Sequence, residues 1–257
     1  MKKLSLLVVF LIAGFVISAQ KFNDPNAEIR TARSFHGINV SSAFDVYLSQ
    51  GNDEAVAVSA SAASDRAKIK VEVKDGILII GFDKSAKWTT GNKKLKAYIS
   101  FKQINKITVS GACDVNIAGV LKSERLTVNQ SGACDLKGTL DVEKMDVVLS
   151  GASDMNVTGK VSRMKIELSG ASDFKGFEMK TEVCDVDASG ASDVKITVNK
   201  ELNANASGAS DIKFKGEGEV KTKKTSGAAS VSKSVANINH KPKSSQAGTN
   251  RSGFLSS

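Results

Sequence analysis

The pentapeptide Ser150-Gly151-Ala152-Ser153-Asp154 decides the fold, because it recurs. SGACD stands at Ser110–Asp114 and Ser131–Asp135, and SGASD returns at Ser169–Asp173, Ser189–Asp193 and Ser207–Asp211. A worn seventh copy, SGAAS, occupies Ser226–Ser230. Successive copies begin 21, 19, 19, 20, 18 and 19 residues apart. Self-similarity near a fixed 20-residue period marks a solenoid, in which one unit cannot bury its apolar face until others stack upon it.

The flanks of the motif say what each unit is made of. Three residues before the leading serine stand Ile107, Val128, Val147, Ile166, Val186 and Ala204. Five after it stand Val115, Leu136, Met155, Phe174, Val194 and Ile212. Polar residues alternate with these on both sides, the period of two that belongs to strands. Leucine-rich repeats share the period, but their leucine spacing and helical half are missing. The sequence therefore predicts an all-β, right-handed parallel β-helix with coils of about 19 residues, preceded by irregular strands and hairpins. The hand follows from the general chirality of parallel β crossovers.

Outward from the repeats the pattern loosens. Ile38, Val40, Ser41–Asp45, Val46 and Leu48 overlay the repeat as a divergent first coil, with Phe44 in the Ser/Cys position. Ala55–Ser59, Ile69–Val73, Ile77–Phe82 and Ala97–Phe101 read as strands, and Lys74-Asp75-Gly76 as a hairpin turn. Ser61–Asp65 (SAASD) imitates the motif, but Arg66 and Lys68 fall where apolar residues belong, so it is not a coil. Residues 83–94 read as an exposed basic loop carrying the sole tryptophan, Trp88. The expected organisation is a signal peptide over 1–19, a mobile lead-in over 20–34, a first coil with hairpins over 35–102, the solenoid over 103–233 and a disordered tail over 234–257. Lys221 and Lys223 stand near the end where apolar residues stood before, the decay expected of a terminal cap.

Lys2 and Lys3, the apolar run Leu4–Ile17 and the small Ala19 before Gln20 make a secretory leader. The run is too short for a spanning helix, which needs about 20 residues. The mature chain is thus expected to be exported to the periplasm, the cell surface or the medium, with no transmembrane span. The formal charge of +9 in 257 residues is spread along the chain without a basic block or stacking aromatics, which argues against nucleic acid as a partner. An envelope or extracellular glycan or protein remains as the expected partner.

The glycine at the second motif position implies a bend with positive φ or a close backbone approach. Stacked coils put Asp114, Asp135, Asp154, Asp173, Asp193 and Asp211 in one file, about 4.8 Å apart. Like charges at that spacing repel by about 1 kcal/mol in water and more near protein. Lys137, Lys175, Lys195 and Lys213, two residues further on the same face, are expected to offset them, with Asx-type bonds from turn amides doing the rest. Calcium between the carboxylates is the alternative, but the calcium-binding nonapeptide is not matched and six to eight oxygen ligands would be needed. No metal site and no cofactor are assigned.

Cys113 and Cys134 hold the same position in consecutive coils, within reach of a disulfide. Simple replacement of a buried serine is the other reading, and both stay open. Cys184 falls in a different file and reads as a core thiol. Without a CxxC or Cys/His cluster, zinc is not expected. His36 and His240 are the only histidines. No Ser/His/Asp set assembles, and a uniform aspartate file is not a paired acid and base, so no catalytic residue is assigned. The Asp file and Trp88 are the candidate binding features. A polysaccharide-binding or polysaccharide-cleaving β-helix and a purely structural envelope protein are the alternative readings.

His36-Gly37-Ile38-Asn39 running into Val40–Leu48, then hairpins and SGASD coils, resembles the head GIN domain of putative auto-transporter adhesins over about Phe35 to Val231. That resemblance implies a surface β-solenoid with a proposed role in adhesion and no known catalytic residues. It implies an auto-transporter only in name, since no membrane barrel follows in this sequence.

Overall fold

In the computed structural model, residues 24–83 and 94–234 are described. Seven strands and one helical turn precede the regular stack: β1 (Glu28–Arg30), β2 (Gly37–Ser42), β3 (Phe44–Gln50), β4 (Ala55–Ser59), α1 (Ala63–Arg66), β5 (Ile69–Lys74), β6 (Ile77–Phe82) and β7 (Leu95–Phe101). The stack follows as β8 (Lys106–Gly111), β9 (Asp114–Gly132), β10 (Asp135–Leu149), β11 (Asp154–Leu168), β12 (Asp173–Ala188), β13 (Asp193–Ala206), β14 (Asp211–Lys215), β15 (Glu219–Thr225) and β16 (Ser230–Lys233).

The chain is a parallel β-solenoid. One edge-to-edge path runs β1-β4-β7-β3-β9-β10-β11-β12-β13-β14-β16, while β5, β6, β2 and β8 continue the other side of β9 and β15 continues β13. Pairing is parallel throughout the stack and in the first coil, where β3 joins β9 with Asp45 opposite Asp114. Phe44 is buried in that coil, as its place in the repeat predicts. Antiparallel pairing is confined to the N-terminal end: β1 with β4, β4 with β7, and the β5–β6 hairpin. That hairpin turns at Asp75 and Gly76, both with positive φ. The SAASD imitation falls in the turn of helix α1. Glu28–Arg30, inside the expected lead-in, is a strand because its backbone pairs with β4 and because Arg30 and Arg66 both bind the Glu28 carboxylate.

The core is built of files. Val46, Val115, Leu136, Met155, Phe174, Val194, Ile212 and Val231 stack rung upon rung. So do Leu126, Met145, Met164, Cys184 and Leu202, which makes Cys184 a core thiol. Two files carry a polar intruder, and in one of them the buried Thr181 lies between Val161 and Val198. Gln130 lies between Val109 and Leu149, 2% exposed. Its amide nitrogen donates to the Cys134 carbonyl at 3.0 Å, while its amide oxygen has no partner.

The motif makes the corner. Gly132, Gly151, Gly170, Gly190, Gly208 and Gly227 all have positive φ, and each corner alanine N–H donates to the carbonyl of the glycine one rung before, at 2.7–2.8 Å. The Ser/Cys side chain turns inward. Ser153, Ser172, Ser192 and Ser210 are buried and donate to the carbonyl of their own leading serine at 2.8–3.0 Å. The GIN segment is structural for a related reason. A Cβ on Gly37 would collide with Ile77 Cδ1 at 2.4 Å, and Ile38 is buried.

The last rung ends the files. Lys223 pairs with Ala204 and Lys233 with Phe214, so two lysines take inward positions, and both side chains escape to solvent. Lys221 lies at the register shift between Val220 and Thr222 rather than in a file.

Candidate binding surface

The six motif aspartates stand in one file: Asp114, Asp135, Asp154, Asp173, Asp193 and Asp211 are register partners in turn. Asp45 extends the file at one end, Lys96 lies opposite Asp45, and Ser230 follows Asp211. The alternation of the strand after the corner puts these side chains outward, between buried positions. Asp45 is legible in the overlay of the first coil. Lys96 is not, because β7 lies outside the repeat.

Compensation is uneven along the file. Lys175 Nζ reaches Asp154 at 2.7 Å and Asp173 at 3.3 Å, tying two rungs together. Lys213 stands 3.7 Å from Asp211, and the Ser230 hydroxyl donates to Asp211 at 2.6 Å. Among the described residues Lys137 and Lys195 form no ion pair. The expected Asx-type bonds are not what the corner amides make: they donate instead to carbonyls of the preceding rung. Among the described residues Asp114, beside Asn116, and Asp135 and Asp193, beside the unpaired Lys137 and Lys195, have no ion-pair partner, and there the file is left acidic. Partial burial, and then the Asp154 and Asp114 charges, push the Asp135 carboxyl above its usual range. Lys175 is held above its usual value chiefly by its bond to Asp154.

Two open grooves flank the corners, and neither is legible in the repeat alone because each depends on where the chain bends. One, about 600 Å³, runs beside the leading serines and is lined by Glu167, Asp187, Asn205 and Lys224 with Ser189 and Ser207. The first four are register partners in turn. The other, about 570 Å³, carries Lys122, Glu124, Asp141, Glu143 and Lys160.

Trp88, the other candidate, lies outside the described residues, as do the leader and the tail after Ser234. His36 sits over the hairpin turn, where a Cβ on Gly76 would meet its ring at 2.2 Å. Among the described residues no group of three His, Cys, Asp or Glu side chains is arranged to hold a metal ion, and no helix is long and apolar enough to cross a membrane. Cys113 and Cys134 are buried free thiols in this structure. Their sulfurs contact the carbonyls of Ser110 and Ser131, at 3.5 and 3.3 Å, in the manner of the serines of later rungs.

The described residues hold all 27 acidic side chains of the chain. The formal excess of +9 is carried entirely by Lys2, Lys3, Lys21, Lys84, Lys87, Lys93, Lys241, Lys243 and Arg251, all outside them. The solenoid body is therefore neutral overall, with charges of both signs ordered in files.

A neutral stack of parallel rungs with one ordered charged face defines a surface-presenting β-solenoid. The chain belongs to the family described as putative auto-transporter adhesin, head GIN domain, whose model matches residues 34–218. Among solved structures, a putative adhesin from Bacteroides fragilis is similar with a TM-score of 0.76 at 22% identity, over 80% of this chain and 95% of that one. A putative adhesin from Parabacteroides distasonis gives 0.65 at 18% identity, over 81% and 96%. A putative lipid binding protein from the same species gives 0.64 at 18%, over 82% and 98%. At these identities the likeness is one of fold. No curated protein matches the chain.

Proposed function

We propose that this protein is an exported, non-enzymatic adhesin that presents its Asp/Lys face to a glycan or protein of the envelope or its surroundings. The observation that carries the reading is the unbroken register of the outward file from Asp45 to Asp211. A rigid row of carboxylates at a fixed step of about 4.8 Å suits a repetitive or extended partner, because the register repeats the carboxylate at each rung. The family description and the adhesin-like neighbours agree with this role. The leader argues for export.

The test is capture from the solubilised envelope fraction by the immobilised mature chain, beside an Asp154→Asn/Asp173→Asn/Asp193→Asn variant with an unchanged circular dichroism spectrum. Wild type is expected to retain a partner that the variant loses. Equal retention by both removes the face from the reading. A polysaccharide ligand is the second reading, favoured by the groove of Glu167, Asp187 and Asn205, where carboxylates and an amide recur at each rung. A glycan array identifies such a ligand, and a reducing-sugar assay on its hits separates binding from cleavage.

A further inference from the structure

We propose that Cys113 and Cys134 are a disulfide pair that staples the first two regular coils together. The register leaves no freedom in their placement. Ser110 and Gly111 pair with Ser131 and Gly132 on one side of the cysteines, and Asp114 pairs with Asp135 on the other. The Asp135 N–H donates to the Cys113 carbonyl at 2.9 Å, which holds the two main chains one rung apart. Neighbouring strands lie about 4.8 Å apart, inside the Cα range of about 4.4–6.8 Å that a disulfide tolerates. Both cysteines are fully buried at the same register position, and each sulfur lies against carbonyls of its own corner and of the rung before it.

Serine fills this file at Ser153, Ser172, Ser192 and Ser210, with Ala229 in the last copy, and a lone serine-to-cysteine exchange needs no partner. Here the exchange occurs twice, on adjacent rungs, where the irregular first coil gives way to the regular stack. The remaining cysteine offers no competing partner. Cys184 lies between Met164 and Leu202 in another file.

Oxidation removes one proton and one electron from each thiol and joins the sulfurs. The two electrons and two protons pass to a disulfide-class oxidant, such as glutathione disulfide or a thiol–disulfide oxidoreductase, which is cleaved to two thiols. Both cysteines are 0% exposed, so the oxidant must act before β10 closes over β9. The bond is thus made during folding and is inaccessible afterwards. The oxidising compartment rests on the export reading above, but the pairing itself does not.

The experiment refolds the denatured, reduced mature chain with a glutathione redox couple or with reductant only. Free thiols are alkylated in denaturant, and peptides are mapped by mass spectrometry. The expected result is a Cys113–Cys134 linked peptide, Cys184 alkylated, and a Tm about 5–10 °C above the reductant-only sample, from a closed loop of this length in a domain of this size. Cys113→Ser/Cys134→Ser, which restores the residue of the later rungs, is expected to fold with the same Tm under both conditions. Oxidant added to the already folded, reduced protein is expected to leave the thiols free for hours. Three alkylated cysteines after oxidative refolding, or a bridge to Cys184, overturns the pairing. Rapid bridging of the folded protein overturns its timing. A bridge made on refolding but absent from protein recovered from cells supports the pairing and overturns export.

Discussion

The carbonyl oxygen of Gly151 lies 2.5 Å from the point where a Cβ on Gly170 would stand. Gly170 also has a φ of +78°, so alanine there is strained twice, by its own backbone and by the rung beneath. The obstacle is backbone and cannot swing aside. Gly119 has nearly the same φ, +73°, but nothing within 4 Å of its added Cβ. Gly119→Ala is expected to cost about 1–2 kcal/mol, the backbone penalty alone. Gly170→Ala is expected to cost at least twice that, of the order of 3 kcal/mol or more, since the rung must also shift. Urea titrations of the two variants measure the difference.

Asp135 predicts a pH dependence. Its folded pKa is raised by partial burial and then by Asp154 and Asp114, so the folded chain binds a proton there more tightly than the unfolded chain. Ionisation therefore opposes folding, and this destabilisation grows as pH rises through the folded value. Asp135→Asn is expected to raise Tm at pH 7 by the equivalent of about 0.5 kcal/mol, a figure reduced for solvent screening. The gain should vanish below about pH 4, where the carboxyl is protonated anyway. Lys175→Ala should act in the opposite direction, because it frees both Asp154 and Asp173. Scanning calorimetry across pH, at low and high salt, reads both.

Gln130 invites repair. Its neighbours in the file are Val109 and Leu149, and its buried amide oxygen is unpartnered. Gln130→Leu removes that acceptor and continues the apolar file. It sacrifices the donor to the Cys134 carbonyl, which the Asp154 N–H also satisfies at 2.9 Å, and a longer bond to the Asp154 carbonyl at 3.4 Å. A gain of about 1 kcal/mol is expected, read as a shifted denaturant midpoint at constant slope.

The cysteines should differ in their tolerance of serine under reducing conditions. Cys134→Ser recreates the arrangement of Ser153, whose hydroxyl donates to Ser150 at 3.0 Å, and should change stability by less than about 0.5 kcal/mol. Cys184→Ser places a hydroxyl between Met164 and Leu202 and should cost about 1–3 kcal/mol. Thermal melts in reductant compare them directly.

The inward lysines at the C-terminal end should control association. A charge at an inward register position of an outermost strand discourages another strand from docking there. Lys223→Val/Lys233→Leu continues the files of Ala204 and Phe214 and is expected to form concentration-dependent oligomers in light scattering. Lys195→Val, which adds an apolar residue in an outward file, should stay as dispersed as wild type.

Much of this architecture could be read before any coordinates, because a repeat states the same physical solution several times. The inward and outward files, Phe44 in the first coil and the β5–β6 hairpin all follow from alternation and glycine placement. What escaped has a common cause. Lys96 closes the aspartate file from β7, the grooves form where corners turn, and Lys221 slips into a register shift instead of a file. Each depends on how unlike segments meet, which periodicity does not encode. The same holds for the lead-in, where Glu28–Arg30 becomes a strand only because β4 offers an edge. The sequence marked the Asp face as a candidate contact, yet its uneven compensation depends on which lysines reach a carboxylate: Lys175 ties two rungs together, while Lys137 and Lys195 form no ion pair among the described residues.

Because rungs touch only their neighbours, the length of this molecule is a free parameter. Excising residues 150–168 would join Leu149 to Ser169 and bring Asp135 beside Asp173 with every file intact. Duplicating the same nineteen residues would lengthen the display by one step. Reach toward a partner can thus be lengthened or shortened one copy at a time, while both termini stay as they are.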